Sequence, residues 1–302
     1  MDKGIIVNQI VILFLIMSVG YIARKLNWLD AELIKGLNRL LLNVAAPFMV
    51  IASCQFDFSP QMFSEAVTVL IFAVTVHLLA IIVGKLLFRR IPNDIGKILK
   101  FGTIFTNCGF MGYPVAAGLF GERGVFLTSV YVVVFNLFLW TYGVSIFSGK
   151  SDRNSWKQVC LNPGVLAVLI GMSLFFFSLK LPMALSQTLQ MVGAMTTPLA
   201  MMIIGAMLAD LKPADLFRGF PIYYGTIVRL LFIPLLILVI LKFWNLDRTV
   251  LGICIMAVAM PVASVTAPLA EQHQSDSLFA SRFVFLSTLL SMVTIPIVIM
   301  LI

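Results

Sequence analysis

Apolar runs of about twenty residues recur along the whole chain, separated by short stretches rich in charge, proline or glycine. Runs of that length can cross the hydrocarbon of a bilayer as helices. Lipid offers no partner for backbone N–H and C=O groups, so each run must pair them internally, and a helix does that. Ten segments qualify: roughly 5–24, 35–54, 63–88, 98–119, 124–147, 162–179, 184–209, 216–241, 249–271 and 278–301. Composition agrees, with 61% hydrophobic and 11% charged residues against roughly 25% charged in soluble domains. The first run, Gly4 to Ala23, is longer than a signal-peptide core and lacks a polar cleavage segment, so it reads as the first span. The expected class is therefore an all-α polytopic membrane protein.

The net charge of +8 is spread over short loops, a distribution that reflects topology rather than nucleic-acid binding. The face reached after spans 1, 3, 5, 7 and 9 collects Arg24, Lys25, Lys35, Arg39, Lys85, Arg89, Arg90, Lys97, Lys100, Lys150, Arg153, Lys157, Lys212 and Arg218. The other face holds Lys3, Arg123, Lys180, Lys242 and Arg248. Fourteen against five puts the first face in the cytoplasm and both termini outside. Cys54, Cys108, Cys160 and Cys254 have no CxxC spacing and read as small apolar fillers, not metal ligands or disulfides.

The two halves echo each other in order. "LIMS" (Leu15–Ser18) corresponds to "IGMS" (Ile170–Ser173), and "AAPFM" (Ala45–Met49) to "TTPLA" (Thr196–Ala200). His77 and Arg229 lie 152 positions apart; Pro114 and Pro268, like Glu122 and Asp276, lie 154 apart. The series implies a duplication: residues 1–149 as one five-span repeat, 150–161 as a short cytoplasmic linker, and 162–302 as the second repeat. An odd number of spans makes consecutive copies enter the membrane from opposite sides. Such an inverted repeat points to a secondary transporter with its site near the midplane.

Spans 4 and 9 carry the interruptions that mark such a site. "TNCGFMGYP" (Thr106–Pro114) and "MPVASVTAP" (Met260–Pro268) set helix breakers at mid-span. Proline removes a donor and glycine eases unwinding, and the freed groups must face protein, water or a ligand. A single broken helix is explained by a kink or by close packing. Two in register across an inverted repeat favour a site for a polar guest, with half-helix N-termini facing it. Pro114 suits the start of a second half-helix, and the Asn107 amide both donates and accepts. Asn107, Gly109, Gly112 and Pro114 are the candidates of one half, and Pro261, Ser264, Thr266 and Pro268 of the other. In spans 2 and 7, Asn43, Thr196 and Thr197 precede Pro47 and Pro198. They either re-satisfy carbonyls freed by the prolines or line the cavity.

Four ionisable residues are candidates for a charge or proton role: His77, Arg229, Glu271 and Arg282. The competing readings are a satisfied helix contact for His77, an interfacial position for Arg229, a solvated outer loop for Glu271, and pairing with Asp276 for Arg282. No Walker motif, zinc spacing or Ser/His/Asp arrangement is present. An enzyme is not expected, nor is a cofactor or metal, and the energy for transport would come from a gradient.

At these residues the chain resembles the auxin efflux carrier family, which includes the plant PIN-formed transporters and bacterial permeases, within the wider bile-acid/sodium symporter-like superfamily. "NCGFMGYP" (Asn107–Pro114) is similar to the family's fourth-helix crossover and "LNRLLLNVAAP" (Leu37–Pro47) to its second-helix signature. The resemblance implies ten transmembrane helices in two five-helix inverted repeats, with broken helices 4 and 9 crossing at mid-membrane as in sodium/proton antiporters. It implies an elevator, with spans 1, 2, 6 and 7 as scaffold and spans 3–5 and 8–10 as transport domain. It also implies a small organic anion as substrate, a mono- or dicarboxylate, with Asn107 matching the position beside the carboxylate. Two departures stand out: Thr266 replaces an earlier proline in span 9, and the loop between repeats is short. The expectation is a permease of the bacterial cytoplasmic (inner) membrane, whose partners are the anion, the bilayer and, as a candidate, a second copy. H+ stands ahead of Na+ as coupling ion. The alternatives are a sodium-coupled organic-anion symporter and a non-transporting sensor of the same fold.

Overall fold

The structure, a computed structural model, describes residues 3–91, 93–148, 160–209, 219–242, 244 and 246–301. The expected linker 150–161 lies almost wholly outside them, as do Lys150, Arg153, Lys157, Lys212 and Arg218. Among the described residues there are helices and no β-strand. In chain order they are α1 (Lys3–Lys25), α2 (Ala31–Ala52), α3 (Pro60–Leu87), α4 (Asn93–Ile104), α5 (Gly112–Ser148) and α6 (Pro163–Phe176). There follow α7 (Met183–Ala209), α8 (Phe220–Leu241), α9 (Arg248–Ala259), α10 (Thr266–Gln272) and α11 (Ser277–Met300). By length and hydropathy six of them, α2, α3, α5, α7, α8 and α11, can cross a membrane. The chain is a polytopic membrane protein by that criterion. Exposed Leu78, Ile82 and Leu86 follow one another at four-residue spacing along α3, an apolar stripe suited to lipid.

Local chemistry sets the helix ends. Carboxylates or amides of Asp30, Asn162, Asp247 and Asp276 accept first-turn N–H groups of α2, α6, α9 and α11, each cap satisfying donors that have no partner within the helix. At Gly121 α5 breaks with φ 60° and ψ −152°, a conformation open to glycine. Wide π turns interrupt α2 at Leu41–Ala45, α5 at Leu139–Gly143 and α8 at Val228–Phe232. The first and third are followed closely by Pro47 and Pro234, whose rings would clash with a carbonyl of the preceding α turn.

The chain divides into two compact units. The first comprises Met1–Val69, Gly109–Val133 and Val159–Asp210. Within it α1 lies against the second half of α7. A Cβ on Gly20 would run into the Met202 carbonyl, and one on Gly205 into that of Met17, so backbones meet there as they do at small-residue crossings in membranes. Arg123 holds Glu65 through two bonds, Nη2 to Oε1 at 2.6 Å and Nε to Oε2 at 3.1 Å. Gln61 donates to the same carboxylate at 3.1 Å.

The second unit comprises Leu70–Cys108, Val134–Gln158 and Leu211–Ile302. Its centre is the fully buried Phe283 ring of α11, wedged against Gly102 of α4 and Gly225 of α8. A Cβ on Gly102 would overlap that ring, and one on Gly225 would overlap Leu99 and press on the ring. This packing draws α4, α8 and α11 together around the interrupted segments described next.

Candidate functional site

Between α4 and α5 the chain leaves helical geometry at Phe105–Met111, and between α9 and α10 at Met260–Val265. Thr106 and Val262 form an isolated antiparallel pair. The Ala263 N–H donates to the Phe105 carbonyl at 3.0 Å, and the Asn107 N–H to the Pro261 carbonyl at 2.8 Å. Each segment thus donates once and accepts once across the pair. Both paired residues are β-branched, which favours extended backbone. The Asn107 Nδ2 donates to Ser264 Oγ at 3.0 Å, tying the two interruptions by side chains as well.

This bridge diverts N–H groups that a continuous helix would have used, and the carbonyls left behind can be followed. In an unbroken α4 the Asn107 N–H would bond the Thr103 carbonyl; here it goes to Pro261. Likewise the Val262 N–H, which would serve Val258, donates to Ser287 Oγ at 3.2 Å. Arg229, only 1% exposed, reaches the orphaned carbonyls. Its Nη1 donates to Thr103 at 2.9 Å, its Nε to Met260 at 3.2 Å, and its Nη2 to Val258. The guanidinium therefore joins the C-terminal ends of α4 and α9. Two helix C-termini carry about −0.5 charge each, so together they offset about one positive charge. That balance, with three charge-assisted bonds, compensates a burial that would otherwise be costly.

Beside the bridge, side-chain groups add to the backbone donors. First-turn N–H groups expected to be open are partly used: Tyr113 bonds Gly109, Val115 bonds Met111, and Thr266 bonds Ala263. Pro114 and Pro268 occupy matching places, the third residues of α5 and α10. An amide NH2 has two hydrogens and a hydroxyl one. Asn107 engages one with Ser264, and among the described residues the second N–H and the Ser264 O–H have no hydrogen-bond acceptor. Thr266 Oγ1 donates to the Ala263 carbonyl at 2.6 Å. Two further hydroxyls, those of buried Thr103 and Thr106, have no hydrogen-bond partner among the described residues.

The structure thus brings Asn107, Pro261, Ser264, Thr266 and Pro268 into one unit, joined by Arg229. Gly109, Gly112, Pro114, Asn43, Thr196 and Thr197 belong to the other. A Cβ on Gly109 would meet nothing within 4 Å. Asn43 lies in the π turn of α2 and donates to the Arg39 carbonyl at 2.8 Å. Thr196 is buried, its hydroxyl without a partner among the described residues, and Thr197 is half-buried.

Of the other ionisable candidates, His77 stands beside the bridge, and Glu271 and Arg282 lie around the start of α11. His77 places Nδ1 2.6 Å from the Ala73 carbonyl of its own helix. Its ring stacks on Phe138 at 5.0 Å, with Phe105 and Phe135 at 6.1 and 6.3 Å. Glu271 is exposed at the end of α10, Asp276 caps α11, and Arg282 is half-buried nearly two turns further on. Sequence reading singled out Arg229 as a lone charge but not as the link between the two breaks. Its partners lie 31 and 126 positions away in the chain. Ser287, inside the apolar run of α11, was not singled out at all.

The profile of a family described as membrane transport protein matches residues 5–299. An uncharacterized transporter of Methanothermobacter thermautotrophicus is 30% identical over 293 residues, covering 92% of this chain and 92% of that protein. An uncharacterized transporter of Methanocaldococcus jannaschii is 26% identical over 302 residues, covering 95% of this chain and 96% of its own length.

Proposed function

The chain belongs to the membrane transport protein family, and from that premise we propose that it carries a small organic anion, a mono- or dicarboxylate, by alternating access. It is a transporter and not an enzyme. The observation that carries the substrate class is the Asn107–Ser264 pair on the bridged interruption. Its remaining hydrogens are donors, as a carboxylate requires, and no carboxylate side chain of the described residues lies in either interruption to repel an anion.

The wider reading is ten spans in two inverted repeats, with the broken helices crossing at mid-membrane and one set of spans moving as an elevator. Matching positions of Pro114 and Pro268 in their helices support the repeat. The grouping of α1, α2, α6 and α7 in one unit and of α4 with α8–α11 in the other follows the proposed scaffold and transport sets in part. Pro60–Val69 and Gly109–Val133 group with the first unit instead. The excess of Lys and Arg on one side favours the cytoplasmic membrane with both termini outside. The sequence adds Gly109, Gly112, Pro114, Asn43, Thr196 and Thr197 as candidates, all of them in the first unit. H+ or no coupling ion is favoured over Na+.

The test is carboxylate titration of purified protein. Asn107→Ala removes a hydrogen bond to a charged group, worth about 1.5–3 kcal/mol, so affinity should fall about 10- to 150-fold with the fold intact. Unchanged affinity would remove Asn107 from the site.

A further inference from the structure

We propose that Arg229 is the transporter's built-in cation: its guanidinium occupies the place where a dissociable cation would otherwise be required. Carbonyls of Thr103, Val258 and Met260, released at the C-terminal ends of α4 and α9, converge on this one side chain. Unwound carbonyls and half-helix C-termini are the groups with which broken-helix transporters hold Na+. They carry partial negative charge in a water-poor setting, and some cation must answer it. Here the chain supplies that cation covalently, from a position 1% exposed to solvent. Thr103 adds a buried hydroxyl without a partner among the described residues, so its neighbourhood has spare oxygen for an ion.

A merely structural role would make different demands. Were Arg229 only filling space, an apolar side chain of similar length would serve. Were it only a hydrogen-bonding strut, added ions would not replace it. As a tethered cation, it should be replaceable by free cations once the tether is cut, best by one with the same planar fork. The consequence for transport is that no free cation need bind at this point for the anion to be carried. That consequence rests on the transport reading, whereas the binding test does not, because every readout is made without substrate.

The test compares thermal unfolding of wild type, Arg229→Ala, Arg229→Met and Arg229→Lys in detergent. Salts are choline, sodium and guanidinium chloride at about 10 mM, with ionic strength held constant. Wild type should unfold at one temperature in all three. Arg229→Ala should unfold lower in choline, and guanidinium should restore at least about 3 °C in a saturable way, with sodium doing less. Arg229→Lys should stand between wild type and Arg229→Met in stability and ignore the salts. The proposal is overturned if folded Arg229→Ala is indifferent to guanidinium, or if sodium specifically stabilises wild type over choline. It is equally overturned if Arg229→Met matches wild type. The wild-type and methionine arms decide the matter should the alanine variant fail to fold.

Discussion

Asn107 ties the two interruptions by two bonds of different kinds. Its backbone N–H fixes the bridge to Pro261, and its side chain donates to Ser264. Removing the Ser264 hydroxyl leaves the bridge intact and takes away only the orienting acceptor and one donor. A neutral hydrogen bond is worth about 1 kcal/mol. Ser264→Ala removes that neutral bond to Asn107 and also a hydroxyl donor to the charged guest, worth about 1.5–3 kcal/mol, so carboxylate binding should weaken about 10- to 150-fold with the bridge intact; unchanged affinity would remove Ser264 from the site. Asn107 was legible as an amide among breakers in an apolar run. Its pairing with Ser264 was not, because 157 positions separate them and nothing local encodes the encounter. Arg229 was half legible. A lone charge in an apolar span must have partners, but those partners are carbonyls, which every residue carries.

Elements were legible where composition forces them. Apolar runs end at charges, prolines and glycines, so the expected spans match helices such as α3 and α11 closely, and the breaks within 98–119 and 249–271 fall where the breakers stand. The wide π turns were not legible; the one at Leu139–Gly143 has no proline just after it. Nor was the bridge, whose paired residues stand singly with no strand period to read. Packing at this scale gives a paired prediction. Gly205→Ala places a methyl on the Met17 carbonyl of α1 and should cost about 1–3 kcal/mol, read as a lower unfolding temperature. Gly36→Ala in α2 meets nothing within 4 Å and should stabilise by up to about 1 kcal/mol through helix propensity. Equal shifts of one sign would show that close backbone approach is not what Gly205 provides.

For the whole molecule, side is the property that charge predicts and helices alone do not. Cys160 is exposed and unpaired, while Cys54, Cys108 and Cys254 are buried. Cys160 also lies at the loop assigned to the cytoplasm by the Lys and Arg excess. A membrane-impermeant maleimide should label this one cysteine in inverted vesicles and leave right-side-out vesicles unlabelled; the reverse pattern would turn the topology over. Family membership identifies a transporter, and the small organic anion proposed as its cargo is the claim to test. The most direct measurement is uptake of labelled mono- and dicarboxylates into liposomes holding the wild-type protein, with sodium and proton gradients imposed separately. We expect saturable uptake of at least one carboxylate, without need of a sodium gradient, lost in Asn107→Ala. Folded protein that moves no carboxylate under any gradient would contradict the account.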